Sequence, residues 1–188
     1  MLKKIERAQQ LLKKEAAVFR CPTCHEPMHL EGVGLICQQR HQFDLSKKGT
    51  LYFLNHSVQT EYNKKMFTSR GKMIQSGMYA PVLNKIMHYL PQNKTVVDVG
   101  CGEGSFLAEL SQAGLSGLKI GFDLSKEGIY LASNQPIDAF WCVADLTNLP
   151  FANEGLDTIL NIFSPSHYQE FRRVLKADGT VIKIILEE

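Results

Sequence analysis

The chain has 188 residues and a formal net charge of +2, and 44% of its residues are hydrophobic. This length is enough for one ordinary domain with a small appendage, and the composition is that of a soluble globular protein. There is no run of eighteen apolar residues and no secretory signal near residue 1, so the sequence argues against a membrane protein and predicts a cytoplasmic location.

The two halves of the chain differ in charge. Residues 1–94 carry fifteen of the 21 Lys and Arg but six of the 19 Asp and Glu, whereas residues 95–188 are acidic. A basic half indicates a polyanionic partner, although solvated helix faces would produce the same count.

The first predicted element is a helix within residues 1–18, with Ile5, Ala8, Leu12 and Ala16 at helical spacing. A helix with this pattern is more often a packing helix than an RNA-binding arm.

Residues 19–46 have the pattern of a small metal-binding module. Cys21 and Cys24 form a C-x2-C pair, and Cys37 and His41 follow as C-x3-H. Clustered cysteines in a reducing compartment hold metal more often than they form disulfides. Three thiolates and one imidazole close a tetrahedral sphere, which predicts structural Zn²⁺ that supplies the folding energy of a short hairpin. His25 and His29 are rival ligands, but His25 directly follows Cys24 and His29 lies in the hairpin, so we favour His41.

Residues 47–93 are predicted to be a linker with helices. Lysines and arginines alternate with aromatic residues here, as single-stranded RNA binding requires. The aromatic side chains could equally pack the zinc module onto the following domain. The residues concerned are Lys47, Lys48, Lys64, Lys65, Arg70 and Lys72, with Tyr52, Phe53, Tyr62 and Phe67 between them.

From residue 94 to residue 188, apolar strands alternate with amphipathic helices. The pattern predicts the α/β class, with a parallel, Rossmann-like sheet of five strands and a last helix ended by Gly179. In such a sheet the ligand binds at the carboxyl ends of the strands.

The turn "DVGCGEG" lies at that end of the first strand. Gly100 and Gly102 permit close approach of a ligand to the backbone, and Gly104 opens the next helix. The free amides of the first helical turn, from Gly104 through Ser105 and Phe106 to Leu107, are expected to take an anionic group such as a carboxylate.

Three aspartates follow successive strands. We expect Asp98 to lie near an ammonium or sulfonium group, Asp123 to accept both hydroxyls of a ribose, and Asp145 to receive an adenine amino group. Three acids without a phosphate-binding lysine favour an adenosyl amino acid over a pyrophosphate. For any one of them, a helix cap or a turn is an equally good explanation.

This pattern resembles the class I S-adenosylmethionine-dependent methyltransferases over residues 94–186. With the zinc module in front, the chain resembles the 23S rRNA (guanine-N1)-methyltransferase family, on "CPTC…CQQRHQFD", "SRGKMIQSGMYAPV" and "DVGCGEG". The resemblance implies S-adenosylmethionine and structural zinc as cofactors, 23S rRNA as partner and methyl transfer to N1 of a guanine. It also implies that Tyr79 closes over the cofactor.

The segment "NIFSP" follows the fourth strand and faces the methyl group in this fold. Phe163 is a candidate for stacking on the base, and Asn161 and Ser164 are candidates for hydrogen bonds to its edge. An aromatic in the core is an equally good explanation of Phe163, and no general base is identified.

Methyltransferase sheets of this kind usually have seven strands, so a count of five predicts a chain that lacks the last two. The apolar strand at the edge of the sheet would then be uncovered, which predicts weak activity or a homodimer formed edge to edge. Two other functions stay open: methylation of a small metabolite, and a non-catalytic RNA-binding protein with a vestigial cofactor fold.

Overall fold

The computed structural model describes residues 1–187, and Glu188, the last residue of the predicted domain 94–188, lies outside them. Its first helix, α1 (Lys4–Glu15), is amphipathic and buries Ala8 and Leu12. A single 3-10 turn (Ala16–Val18) follows and leads to Phe19, which is almost fully buried. Helix α1 therefore packs on the body of the protein, as predicted.

The next segment is a three-stranded antiparallel sheet. It consists of β1 (Met28–Glu31), β2 (Gly34–Cys37) and β3 (Gln42–Asp44), in that order. A two-residue turn joins β1 to β2, and Gly32 adopts a φ of 60° there, which glycine tolerates without strain. Strand β2 is buried along its whole length.

A parallel sheet of six strands forms the second half, in the order β4-β7-β6-β5-β8-β9. Chain order reverses beside β5, so the topological switch point lies between β5 and β8. The fold class is confirmed as α/β with a Rossmann-like sheet behind a small N-terminal module. The strands are β4 (Thr50–Tyr52), β5 (Val96–Val99), β6 (Lys119–Asp123), β7 (Phe140–Val143), β8 (Leu156–Ile162) and β9 (Leu175–Ile184).

Five helices accompany the sheet. Helices α3, α4 and α5 contribute to a core cluster on one face, whereas the small sheet, α1 and α6 share a continuous core with the other face. Helix α2 packs across α4 and α5. The helices are α2 (Lys64–Gln75), α3 (Ala80–Tyr89), α4 (Ser105–Gln112), α5 (Lys126–Ala132) and α6 (Tyr168–Val174).

Two details of the predicted architecture are wrong. The sheet has six strands and not five, because β4, from the predicted linker, pairs in parallel with β7. The last helix ends at Val174 and not near Gly179, because Leu175 already pairs with Leu156 at the start of β9. In both places, pairing with a distant strand outweighs weak local preferences.

The boundaries predicted at residues 18, 46 and 93 remain a prediction. Within residues 1–187, no helix is of a length and hydropathy that would let it span a membrane.

Candidate active site and metal centre

Four side chains of the small sheet converge on one point. The ligand atoms of Cys21, Cys24, Cys37 and His41 all lie within 4.8 Å of one another. The Sγ atoms of Cys24 and Cys37 are 3.5 Å apart, and Nδ1 of His41 is 3.5 Å from Sγ of Cys21. Zinc–sulfur bonds of about 2.3 Å give tetrahedral edges close to these lengths, so the donor set fits Zn²⁺.

The structure places His41, and neither of its two rivals, beside the three cysteines. Neither His25 nor His29 belongs to the cluster, and His29 instead lies 3.7 Å from a carboxylate oxygen of Glu31. The backbone amide of His41 also donates a hydrogen bond to Sγ of Cys37, at 3.3 Å, which favours a thiolate ligand.

The turn that carries Cys21 and Cys24, called the metal knuckle below, is hydrogen-bonded to the loop that follows β7. Asn148 donates from its side-chain amide to the carbonyl of Pro22, at 2.8 Å, and the Arg20 amide donates to the carbonyl of Pro150. Asp145 and Leu146 of the same loop line a pocket at the carboxyl ends of the parallel strands. The metal knuckle therefore supports one wall of that pocket.

A pocket of about 440 Å³ opens at the carboxyl ends of β5, β6, β7 and β8, where the topology predicts the ligand. Of the residues predicted to bind the cofactor, Gly100, Gly102, Asp123 and Asp145 line it. The structure therefore brings together residues from three successive strand ends.

The glycine turn has the backbone that its sequence predicts. Gly100 and Gly102 have φ values of 68° and 55°. A Cβ on Gly100 would lie 2.8 Å from Cβ of Ser164, and one on Gly102 would lie 2.8 Å from Nη1 of Arg70. These two positions exclude larger residues.

Gly104 has a different role. A Cβ there would lie 2.6 Å from the ring of Trp141, so this glycine permits close packing of α4 on the sheet. Ser105, Phe106 and Leu107 are buried and are not among the residues that line the pocket.

Asp123 is held by two backbone amides. Its Oδ2 accepts from Gly102 and its Oδ1 accepts from Ser125, both at 2.8 Å. Burial raises its pKa, while the two amides and Arg70 act in the opposite direction. The two amides thus fix the carboxylate in the pocket wall.

Asp145 begins a tight turn after β7. Its Oδ1 accepts from both the amide and the hydroxyl of Thr147, each at 2.8 Å. A turn role and a ligand role are compatible here, because the side chain also lines the pocket beside Leu146.

Asp98 is almost fully buried beneath the glycine turn, and its Oδ2 has no hydrogen-bond partner among the described residues. Burial raises the pKa of the Asp98 carboxyl to about 7, and the carboxylates of Asp123 and Glu103 add to the shift against the effect of Arg70. A buried acid without a partner suits a cationic ligand group.

This raised pKa predicts a pH-dependent stability. Between about pH 4 and pH 7 the unfolded chain has lost the Asp98 proton and the folded chain retains it, so this group's stabilisation is lost as pH rises. We expect the Asp98→Asn variant to match the wild type near pH 4 and to exceed it at pH 8, by on the order of 4 kcal/mol. Urea unfolding of the ligand-free proteins measures the difference.

Asp157 supplies the matched control for this measurement. Against the effect of burial, the Thr95 amide and Lys176 lower its pKa, so Asp157→Asn is expected to lose stability relative to the wild type as pH rises. A difference between wild type and Asp98→Asn that stays constant from pH 4 to pH 8 contradicts the assignment.

The loop after β8 closes the other end of the pocket. The side-chain amide of Asn161 donates to Oγ of Ser164 and to the carbonyl of Pro165, and its Oδ1 accepts from Ser166. Ser164 in turn donates to the carbonyl of Val99, at 2.6 Å. Asn161 is buried and lies outside the pocket lining, whereas Ser164 is in it.

Phe163 projects into the pocket with 36% of its surface exposed. Its φ of 52° is a left-handed conformation that is uncommon for a bulky residue and is retained mostly at functional sites. Tyr79 packs against its ring with 5.7 Å between centroids, but Tyr79 itself is not in the pocket lining.

Sequence reasoning missed one wall of the pocket. The segment that enters α2 provides this wall, and its residues were interpreted as RNA contacts or left unassigned. The helical spacing of Phe67 and Arg70 places both side chains on one face of α2, and this pattern could have predicted the wall. The wall consists of Thr60, Tyr62, Met66, Phe67 and Arg70.

Comparison with known proteins agrees with both sites. Residues 96–179 match the family model described as a methyltransferase domain, and residues 19–56 match the zinc-ribbon model described as RlmA, N-terminal. The fold resembles the crystal structure of a Methanococcus maripaludis protein titled, provisionally, an S-adenosyl-L-methionine-dependent methyltransferase. The TM-score is 0.57 at 18% identity, covering 68% of this chain and 66% of that one.

Two curated relatives match nearly the whole chain. YxjB of Bacillus subtilis (strain 168), provisionally named a 23S rRNA (guanine-N1)-methyltransferase, is 41% identical over 181 residues, covering 90% of this chain and 64% of YxjB. The 23S rRNA (guanine(748)-N1)-methyltransferase of Streptomyces fradiae is 27% identical over 180 residues, covering 92% of this chain and 64% of that protein. The chain thus spans 64% of the length of these relatives.

The chain has the fold of the class I S-adenosylmethionine-dependent methyltransferases, behind an N-terminal zinc ribbon. It is similar to the two 23S rRNA (guanine-N1)-methyltransferases over nearly its whole length, and its pocket and Cys3His cluster fit S-adenosylmethionine and zinc. The comparisons agree with the predicted fold class, the predicted resemblance and the two predicted cofactors.

Proposed function

We propose that this protein transfers a methyl group from S-adenosylmethionine to N1 of a guanine in 23S rRNA, in the cytoplasm. The observation that carries the proposal is the zinc ribbon and the cofactor pocket in one chain, matched together at 41% identity in YxjB. The names of the two relatives support the choice of substrate.

The pocket has two chemically distinct ends. Asp123 and Asp145 define a polar end for the nucleoside part of the cofactor, and Phe163 with Pro165 defines an apolar end at the mouth. When bound, S-adenosylmethionine supplies a methyl group on a sulfonium, and the task of the protein is then to align the nucleophile with that methyl. N1 of guanine lies on the Watson–Crick edge, so the base must be unpaired or flipped to enter.

We assign the three candidates for the base site different roles. Phe163 stacks on the guanine, since its ring is exposed in the pocket. Asn161 is a positioning residue, because its amide is already engaged by the loop that carries Phe163. Ser164 shapes the same loop through its hydrogen bond to Val99.

We assign RNA contact to the zinc ribbon and to exposed lysines within residues 47–93, the segment predicted to be a linker. Phe53 and Phe67 are buried, so they pack the protein and do not contact RNA. The cationic candidates are Lys47, Lys64, Lys65 and Lys72, all exposed. A homodimer through the β9 edge, next to exposed Ile185 and Leu186, remains a prediction.

The test is methylation of 23S rRNA transcribed in vitro. We expect mass spectrometry of the digested RNA to detect N1-methylguanosine, and reverse transcription to stop at one position, because an N1-methyl group blocks base pairing. If the protein binds S-adenosylhomocysteine but methylates no guanine in this RNA, the substrate assignment is wrong.

Phe163 variants provide a matched comparison in the same assay. Stacking on an aromatic ring contributes about 1–3 kcal/mol per base, so Phe163→Leu is expected to lower the methylation rate about tenfold or more. Phe163→Trp keeps an aromatic face and is expected to retain most of the rate. A Phe163→Leu protein with the wild-type rate contradicts the stacking role.

A further inference from the structure

Arg70 reaches from α2 over the glycine turn. Its Nη1 donates to Oε2 of Glu103, at 2.7 Å, and its guanidinium lies 5.1 Å from the ring centroid of Phe106. The Arg70 side chain is 30% exposed and that of Glu103 is 6% exposed. This ion pair is therefore largely removed from water, and it holds the guanidinium at the pocket wall.

Arg70 is a cation in a part of the pocket wall whose other charged side chains are acidic. Among the described residues that line the pocket, Arg70 is the one Lys or Arg, and its charge interacts with the carboxylates of Asp98, Glu103 and Asp123. Burial raises the pKa of both Asp98 and Asp123, and the guanidinium of Arg70 opposes that rise without cancelling it. Oε1 of Glu103 and Oδ2 of Asp98 are buried without hydrogen-bond partners among residues 1–187.

The alternative anion site predicted from the sequence, at the start of α4, lies outside the pocket lining. Ser105, Phe106 and Leu107 are buried there, and the amide of Gly104 already donates to the carbonyl of Cys101. A carboxylate in the pocket therefore meets Arg70 and not the amino terminus of this helix.

We infer that Arg70 binds the carboxylate of the amino-acid part of S-adenosylmethionine, and that Glu103 is a positioning residue that orients the guanidinium. The assignment rests on the cofactor role of the pocket and extends it. A guanidinium has five donors in a planar fork, so one edge can hold Glu103 while others meet a carboxylate. Asp98, in β5 beneath the glycine turn, has a buried carboxylate oxygen without a partner and would supply the opposite charge below the ammonium group.

The test compares two ligands that differ in the amino-acid group. S-Adenosylhomocysteine has the carboxylate and the ammonium, whereas 5′-methylthioadenosine has the same nucleoside and thioether without them. By calorimetry, we expect Arg70→Gln to weaken S-adenosylhomocysteine at least about tenfold and to leave 5′-methylthioadenosine within about twofold, as expected for loss of a charge-assisted hydrogen bond. Arg70→Lys is expected to lie between wild type and Arg70→Gln.

Lys85→Gln is the matched control, because Lys85 is an exposed cation of the neighbouring helix α3 and lies outside the pocket lining, and it is expected to change neither affinity. Equal loss for both ligands in a folded Arg70→Gln protein would show that Arg70 only shapes the wall, and would overturn the inference. Unchanged binding of S-adenosylhomocysteine, with or without loss of RNA binding, would overturn it as well. If the wild type bound neither ligand, the cofactor pocket itself would be wrongly assigned.

Discussion

Replacing Cys37 by serine is expected to abolish zinc binding and to unfold the ribbon. A serine hydroxyl is a poor zinc ligand, and structural zinc contributes about 10–16 kcal/mol in small zinc peptides, which is as large as the stability of a whole domain. Cys21 and Cys37 also belong to the core cluster that includes Phe19 and Phe151, so we expect the methyltransferase half to lose stability too. Metal analysis by mass spectrometry and hydrogen exchange of the β1–β3 amides measure both effects.

Three histidine variants make this prediction specific. His41→Ala is expected to lose zinc, whereas His25→Ala and His29→Ala are expected to retain it, because only His41 belongs to the cluster. Cys142→Ala is the matched thiol control, since Cys142 is buried in β7, away from the cluster. Full zinc content in His41→Ala would show that the fourth ligand is wrongly assigned.

Replacing Asp123 by alanine is expected to raise the dissociation constant of S-adenosylhomocysteine by at least about 100-fold. If Asp123 binds the ribose as we propose, the variant loses two charge-assisted hydrogen bonds, at about 1.5–3 kcal/mol each. The amides of Gly102 and Ser125 also lose their acceptor, so the glycine turn loses a support. Calorimetry measures the affinity, and thermal unfolding shows whether the variant is folded.

An analogue of S-adenosylhomocysteine without the ribose 2′-hydroxyl separates the loss of ribose hydrogen bonds from the loss of support for the glycine turn. The wild type is expected to bind it about tenfold more weakly than the complete ligand, and Asp123→Ala is expected not to distinguish the two. Asp178→Ala, which removes an exposed carboxylate of β9, is the control and is expected to have wild-type affinity. If Asp123→Ala still preferred the complete ribose, another group would bind the hydroxyls.

The predicted site residues that the structure brings together were found from short-range patterns. The four zinc ligands lie within 21 residues of one another in the sequence, where turn geometry and ligand spacing nearly determine which atoms can meet. Gly100, Gly102, Asp123 and Asp145 are farther apart, but each lies at or just beyond the carboxyl end of an apolar strand. Parallel topology then places all of them at one edge of the sheet.

The features that sequence reasoning missed depend on long-range contacts. Strand β4 has three residues and pairs with β7, about 90 residues away, so no local periodicity could identify it. Arg70 pairs with Glu103, 33 positions away in the sequence. This contact holds at the pocket wall an arginine that the sequence pattern had indicated as an RNA contact. Such partners become visible once the chain is folded.

The sequence by itself determined the chemistry: a Cys3His zinc site, a glycine turn and acids at successive strand ends. Only the tertiary structure decided which of these groups remain accessible to a ligand. The start of α4 is buried outside the pocket lining, the loop after β8 engages the amide of Asn161, and α2 brings Arg70 over the turn. The physical reason is that side-chain type is a local property, whereas burial and hydrogen-bond saturation depend on segments that are distant along the chain.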